Sequence, residues 1–110
     1  MAGHKFTGKW QIVEMSEWDK KYINMEVKAF IEIGLQLDGN FQFGLVSGSI
    51  DGGIIKRDGI DVFDFTFEGT DENEEVSGDG WMKILDDGTA EGYFRFHQGD
   101  DSKFWAKRMK

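Results

Sequence analysis

Hydrophobic and polar residues alternate with a period of two along most of this chain. That period places successive side chains on opposite faces of an extended strand, so it predicts β-strands rather than helices. The pattern predicts eight strands, at about residues 5–15, 31–37, 41–45, 54–55, 63–67, 81–85, 90–96 and 104–108. An all-β protein is therefore expected.

The pattern changes between the first two predicted strands. Ser16 offers a hydroxyl at a helix N-cap, and Asp19 follows three residues later, in a weak form of the capping box. Trp18 and Tyr22 lie four residues apart, on one face of a helix. One short helix is predicted over about residues 17–25, with an irregular loop as the alternative.

Turn residues suggest how the strands are connected. Asp-Gly pairs favour tight hairpins, whose central residues need positive φ. The sequence places Asp38-Gly39, Asp58-Gly59 and Asp87-Gly88 between strands 2 and 3, 4 and 5, and 6 and 7. In an up-and-down order these three connections share one end. The other end then carries the helix and mostly longer connections, within 47–53, 69–78 and 98–102, so one tight end and one loop-rich end are predicted.

Strand parity sends large aromatic side chains inward. The predicted inward set is Phe6, Trp10, Phe43, Phe63, Phe65, Phe67, Phe94 and Phe96. An eight-stranded barrel is just wide enough to be filled by its own side chains or to hold one small ligand. A filled core and a small apolar pocket under the helix both remain open.

Composition narrows the class of protein. A chain of 110 residues is expected to form a single domain, residues 1–110. Its net charge of −8 argues against binding to nucleic acid or to an anionic membrane. The chain has no cysteine, no apolar run typical of a signal peptide and no stretch long enough for a membrane helix. A soluble cytoplasmic protein is expected.

Few residues suggest chemistry. Glu14 continues the inward face of strand 1 and would be partly buried, unless that strand ends at Val13. His97 precedes Asp100, Asp101 and Ser102, residue types that form triads and metal sites. Their spacing matches no catalytic motif, and capping of the local turn is the alternative.

The acidic run 71–75 lacks the ligand spacing of a calcium-binding EF-hand loop. The sequence therefore predicts no catalytic residue, no metal site and no cofactor.

A structural pair is expected at the tight end. Trp10 lies early in strand 1 and Arg108 late in strand 8, so both fall there. A guanidinium over an indole is stabilised by cation–π attraction. The alternative is that Arg108 is a solvated charge near the end of the chain.

Family resemblance agrees with this architecture. The segment Phe6-Thr7-Gly8-Lys9-Trp10 resembles the start of avidins and lipocalins, and the longer stretch from there through 16–22 looks like the first strand and helix of fatty-acid-binding proteins. Through 14–19, 41–44 and 97–102, the whole chain resembles a lipocalin-like family of uncharacterised bacterial proteins. The resemblance implies a calycin-like, eight-stranded antiparallel up-and-down barrel with one short helix between strands 1 and 2.

Two departures limit what the resemblance implies about ligands. Fatty-acid-binding proteins carry an Arg-x-Tyr carboxylate clamp on the last strand, whereas this chain ends Lys107-Arg108-Met109-Lys110. The biotin-binding residues of avidin cannot be mapped onto this sequence residue by residue. Neither a fatty acid nor biotin is therefore implied.

The leading functional hypothesis is non-catalytic binding of a small, mostly apolar molecule in the barrel mouth. Trp18 and Tyr22 would cover the mouth, and Glu14 would supply a polar contact. The expected lining is completed by Phe43, Phe65 and Phe94.

Two other hypotheses remain. In one, a packed barrel acts through protein contacts, for example as a homodimer, using exposed apolar residues such as Tyr93 or Trp105. In the other, the chain is a lipocalin-like enzyme with Glu14 or His97 as acid–base.

Overall fold

The computed structural model describes residues 5–109, which form a closed barrel of eight antiparallel strands in chain order. The last strand closes the barrel by pairing with the first, with Trp10 opposite Arg108. The strands are β1 Gly8–Met15, β2 Phe30–Ile33, β3 Asp38–Phe43, β4 Val46–Arg57, β5 Ile60–Asp71, β6 Glu74–Ile84, β7 Ala90–Phe96 and β8 Asp101–Arg108. The predicted all-β up-and-down barrel is confirmed.

The predicted helix is present between β1 and β2, but it is shorter. Helix α1 spans Lys20–Ile23, and its N-cap is Asp19, whose carboxylate accepts a hydrogen bond from the Tyr22 N–H at 2.8 Å. Ser16 does not cap it. Its hydroxyl instead accepts from the Lys103 N–H at 2.9 Å, because the chain still runs beside β8 at that point.

The middle strands are longer than predicted. β4 has 12 residues, although alternation marked only 54–55 as a strand. Two of its inward positions are Gly48 and Gly52, which hide the hydrophobic period. A Cβ on Gly48 would lie 2.3 Å from the Glu68 carbonyl oxygen, so glycine lets β4 and β5 approach closely.

At the end of the barrel where β1 begins, three tight Asp-Gly turns were predicted, and the structure agrees only in part. Asp58-Gly59 forms the two-residue β4–β5 turn, with φ of 54° and 80°. Gly88 lies in the β6–β7 connection, with φ 87°. Asp38-Gly39 is not a turn, because both residues pair within β3, and the β2–β3 turn is formed by 34–37.

The opposite end carries α1, as predicted, but the long loops expected between β3 and β4 and between β5 and β6 are absent, so that part of the prediction is wrong. Its β3–β4 connection is Gly44-Leu45, and its β5–β6 connection is Glu72-Asn73, each of two residues. Both residues of the second turn have positive φ, 53° and 78°, as tight hairpins require. Non-glycine residues made this turn hard to find from sequence.

Aromatic side chains fill the barrel. The Phe94 ring lies 5.0 Å from the Phe104 ring and 5.1 Å from the Phe41 ring, between centroids. Seven of the eight aromatics predicted to point inward are buried, and Phe96, at the rim, is partly buried against the core. Of the two interpretations of the interior, the filled core is the one observed.

Candidate binding site at the barrel mouth

Two aromatic side chains cover the end of the barrel that carries α1, called the mouth here. The Trp18 ring centroid lies 5.2 Å from that of Phe43 and 6.0 Å from that of Phe96. Tyr22 packs beside it, at 6.3 Å. The predicted place of Trp18 and Tyr22 over the mouth is confirmed, and their role as ligand contacts stays a prediction.

Glycine at position 44 makes room for this cover. Gly44 has φ of 59°, and a Cβ there would lie 2.4 Å from the Tyr22 ring. The Gly44 N–H donates to the Ile23 carbonyl at 2.8 Å, and the Leu45 N–H donates to the Tyr22 hydroxyl at 3.4 Å. These contacts tie α1 to the β3–β4 turn.

The chain after α1 is anchored as well. The Asn24 side-chain amide donates to the Lys20 carbonyl, and its oxygen accepts from the Ala29 N–H, both at 2.9 Å. Ala29 in turn accepts from the Ile12 N–H at 2.9 Å. The cover is therefore joined to β1 by hydrogen bonds, as well as packed on the core.

A depression of about 400 Å³, the mouth pocket, lies beside the half-buried Trp18. Its apolar wall consists of Trp18, Val46, Val76 and Phe96. The polar part of its lining consists of Asp71, Glu75, Ser77, His97, Gln98, Gly99 and Asp100. No motif in the sequence pointed to Val46 or Val76, because both lie near the start of strands, β4 and β6, whose two-residue turns the turn chemistry did not reveal.

The mouth pocket carries an excess of negative charge. Asp71, Glu75 and Asp100 contribute carboxylates, and none of the ion pairs found among residues 5–109 involves them. A nearby negative ligand would be repelled, since each like charge adds an unfavourable Coulomb energy. The site therefore suits a neutral or positively charged molecule.

Glu14 does not reach this site, and the prediction of an inward Glu14 is wrong. Ile12 pairs with Ala106 and Glu14 with Trp105, so Val13 is an extra residue in a β-bulge. The bulge shifts the parity of the strand by one. Met15 consequently points into the core, with 4% of its surface exposed, and Glu14 is exposed outside.

The three phenylalanines expected in the site belong to the barrel core. Phe43 alone touches the cover, through Trp18. Phe65 and Phe94 lie deeper, with their ring centroids 5.7 Å apart, and both are buried. A ligand at the mouth would contact Trp18, which separates it from Phe43, because aromatic side chains already fill the interior.

The residues around His97 do not assemble into a triad. The Ser102 hydroxyl accepts from the Glu17 N–H at 3.1 Å and donates to the Lys103 carbonyl at 2.8 Å. Asp101 accepts from the Tyr93 hydroxyl at 2.7 Å, which raises the pKa of Tyr93. The His97 side chain is exposed at the mouth. The hydrogen-bond partners found for Ser102 are two backbone groups and the Ser16 hydroxyl, none of which is a base.

The acidic side chains of the described residues do not form a metal site. Within the described part of the chain, no group of three histidine, aspartate or glutamate side chains is placed to hold a metal ion. The acidic run 71–75 is a tight hairpin around Glu72-Asn73.

A larger depression of about 760 Å³ lies on the outer face of β4 to β7. Solvent-facing strand residues such as Ser49 and Glu68 form much of its wall. Arg95 and Asp79 pair there through two hydrogen bonds of 2.9 and 3.0 Å, which lower the pKa of Asp79. Because Arg95 and Asp79 already bond to each other, neither charge is left free to bind a ligand.

The end opposite the mouth is closed by Trp10 and Arg108. Trp10 is fully buried, and the Arg108 guanidinium carbon lies 4.3 Å from its ring centroid, so the expected contact is confirmed. Arg108 also donates to the carbonyls of Thr7, at 2.8 Å, and Lys5. A depression of about 460 Å³, lined by Ile60 and residues 83–87, lies beside this closed end, on the β5 and β6 side.

Among residues 5–109, no helix is both long enough and apolar enough to cross a membrane. Comparison with known proteins found no matching family model, no matching curated protein and no matching solved structure.

Proposed function

We propose that this protein is a non-catalytic binding protein that holds a small, mostly apolar molecule in the mouth pocket, against Trp18. One observation carries the proposal: a half-buried indole forms the wall of an open pocket directly above a filled aromatic core. Tryptophan offers a large rigid apolar surface together with one polar N–H group. Such surfaces recur in small-molecule sites, which are mostly apolar with a few polar groups.

Pocket size and charge restrict the ligand. A volume of about 400 Å³ lies at the lower end of the range for small-molecule sites, so a molecule of one or two rings fits. It would lie across the rim, since Phe43 and Phe94 occupy the barrel below. The carboxylates of Asp71, Glu75 and Asp100 favour a neutral or cationic molecule over an acid.

The family and the location belong to the same proposal. The closed eight-stranded order and the Trp10–Arg108 pair support a calycin-like, lipocalin-like assignment. The absence of cysteine supports a cytoplasmic location. The resemblance to uncharacterised bacterial proteins stays a prediction.

Titration with prodan, a neutral two-ring naphthalene dye whose emission depends on polarity, tests the proposal. We expect its emission to shift to the blue on binding, and Trp18→Ala to weaken the affinity by roughly tenfold, equivalent to about 1.4 kcal/mol. Trp81→Ala is the matched control, because Trp81 is also half-buried but lies on the outer face, against Tyr93. It should change the affinity by less than about twofold.

A pocket-filling variant gives a second measurement. Val76→Trp places bulk in the pocket and should abolish dye binding while the far-ultraviolet circular dichroism stays unchanged. Gly44→Phe is unsuitable for this purpose, since it would displace Tyr22. If wild-type protein binds no apolar probe, or if Trp18→Ala binds as well as wild type, the mouth pocket is not a ligand site.

A further inference from the structure

Strand β4 extends beyond its neighbour β3. The two strands pair from Phe43 opposite Val46 to Asp38 opposite Asp51. The Gly52 N–H then donates to the Leu37 carbonyl at 3.0 Å. From residue 53 to 57, β4 is paired with β5 on one side only. The β4–β5 hairpin therefore has a free edge at the end opposite the mouth.

The free backbone groups can be identified. Backbone groups of successive residues in a strand point to alternate sides. Because the Gly52 N–H points toward β3, the N–H and C=O groups of Ile54 and Lys56 point the same way, away from β5. Within residues 5–109 no strand lies opposite them, and no turn or loop backbone bonds to them. Such unpaired edges are templates for pairing with another chain.

The edge is open and flanked by apolar side chains. A Cβ built on Gly53 meets no atom within 4 Å. Ile55 and Ile60, which lie on the outer face of the hairpin, are 38% and 49% exposed. Covering these two neighbouring isoleucines with a partner would be favourable, because it removes their apolar surface from water.

In many proteins a charged side chain on an edge strand prevents pairing with another chain, but the charge on this edge is already paired. A lysine on an edge strand ordinarily prevents pairing through its free charge. Here the Lys56 ammonium lies 3.0 Å from Asp61, and Lys5 lies 3.3 Å from the same carboxylate. Hydrogen bonds from Lys56 and then Lys5 lower the pKa of Asp61, so it stays ionised as their partner.

We infer that a second copy of this chain pairs on the free edge, β4 against β4, antiparallel about a two-fold axis. The free groups determine the register, because residues in a hydrogen-bonded pair must both point across the new interface. Ile54 of one copy then lies opposite Lys56 of the other, and Ile55 meets Ile55 on the axis. A register centred on Ile54 would use Gly52, whose N–H is already bonded to Leu37, and one centred on Lys56 would place Ile54 opposite Asp58, a residue of the β4–β5 turn with φ 54°.

The same register is complementary in charge. Arg57 of one copy falls opposite Gly53 of the other, and Gly53 has no side chain to block it. The neighbour of Gly53 across the hairpin is Asp64, a carboxylate that no ion pair among residues 5–109 uses. An isologous interface needs this kind of self-complementarity, and it makes a second copy the occupant rather than an unrelated peptide.

Sedimentation equilibrium tests the inference, from about 10 µM to about 1 mM of protein, a range suited to a small interface. Wild-type protein should show a mass that rises with concentration. Lys56→Pro should weaken association by at least about tenfold, because proline lacks the N–H that bonds the partner. Since that N–H faces away from β5, the barrel itself should persist.

The control separates the hydrogen bond from the ion pair. Lys56→Ala loses the contact with Asp61 but keeps the N–H, so it should associate like wild type. Amide hydrogen exchange at Ile54 and Lys56 should also slow as the protein concentration rises. A monomer at every concentration overturns the inference. A Lys56→Pro variant that associates as well as Lys56→Ala overturns it too, and would direct attention to another face, such as that around Trp105.

Discussion

Trp10 and Arg108 show how a few side chains close one end of the barrel. The indole is fully buried, and its N–H donates to the Phe6 carbonyl at 3.0 Å, so its polar atom is satisfied. Arg108 covers the ring from outside and bonds the carbonyl of Thr7. The pair therefore ties the N-terminal segment to the first and last strands at once.

Replacing these two residues should have unequal effects. Trp10→Ala should lower the free energy of unfolding by about 3–5 kcal/mol, as for other large buried aromatics. Arg108→Ala should lower it by about 1–2 kcal/mol, from an exposed cation–π contact and hydrogen bonds to carbonyls. Urea unfolding measures both. Lys107→Ala, an exposed neighbour, is the control, and an equal effect of Arg108→Ala and Lys107→Ala would contradict a structural role for Arg108.

At the scale of elements, strand β1 illustrates what local pattern reveals and what it hides. Alternation from Trp10 to Ile12 identified the inward face correctly. The bulge at Val13 then reversed the parity, so Met15 took the inward place expected for Glu14. A bulge depends on the hydrogen bonds made with the partner strand, which is β8 here. A valine at position 13 is an ordinary strand residue and does not by itself predict a bulge.

A pair of alanine substitutions tests this bulge. Met15→Ala should cost about 2–5 kcal/mol of unfolding free energy, because it opens a cavity in the core. Glu14→Ala, at an exposed site, should change stability by less than about 0.5 kcal/mol. Urea midpoints of the two variants measure the difference. The reverse order of effects would mean that β1 runs without a bulge and that Glu14 faces inward.

The whole molecule is organised around one aromatic core. Besides Phe41 and Phe104, Phe94 contacts three more phenylalanine rings, with centroids between 5.4 and 5.7 Å away. Strand parity identified most of this core, because Phe63, Phe65 and Phe67 alternate within one strand. Whether the rings would fill the barrel or leave a pocket depended on how eight strands curve, which no single strand reveals.

Removing the central ring tests how tightly the core is packed. Phe94→Ala should cost about 3–5 kcal/mol and leave a dry cavity able to take benzene. Benzene should then raise the melting temperature of the variant and leave that of wild type unchanged. Phe30→Ala is the control, since Phe30 is only partly buried and lies under the Lys9 ammonium. A benzene effect equal in wild type and Phe94→Ala would show that the wild-type interior already contains a void.

The sequence by itself determined the strand class and the inward face of most strands. These follow from a period of two and from residue types, which are local properties. The tertiary structure alone decided the bulge at Val13, the two-residue turns at Gly44-Leu45 and Glu72-Asn73, and the length of β4. The same tertiary features create the mouth pocket and the free edge of β4. Register and strand length are set by hydrogen bonds between distant segments, and a pattern read along one segment does not contain its partner.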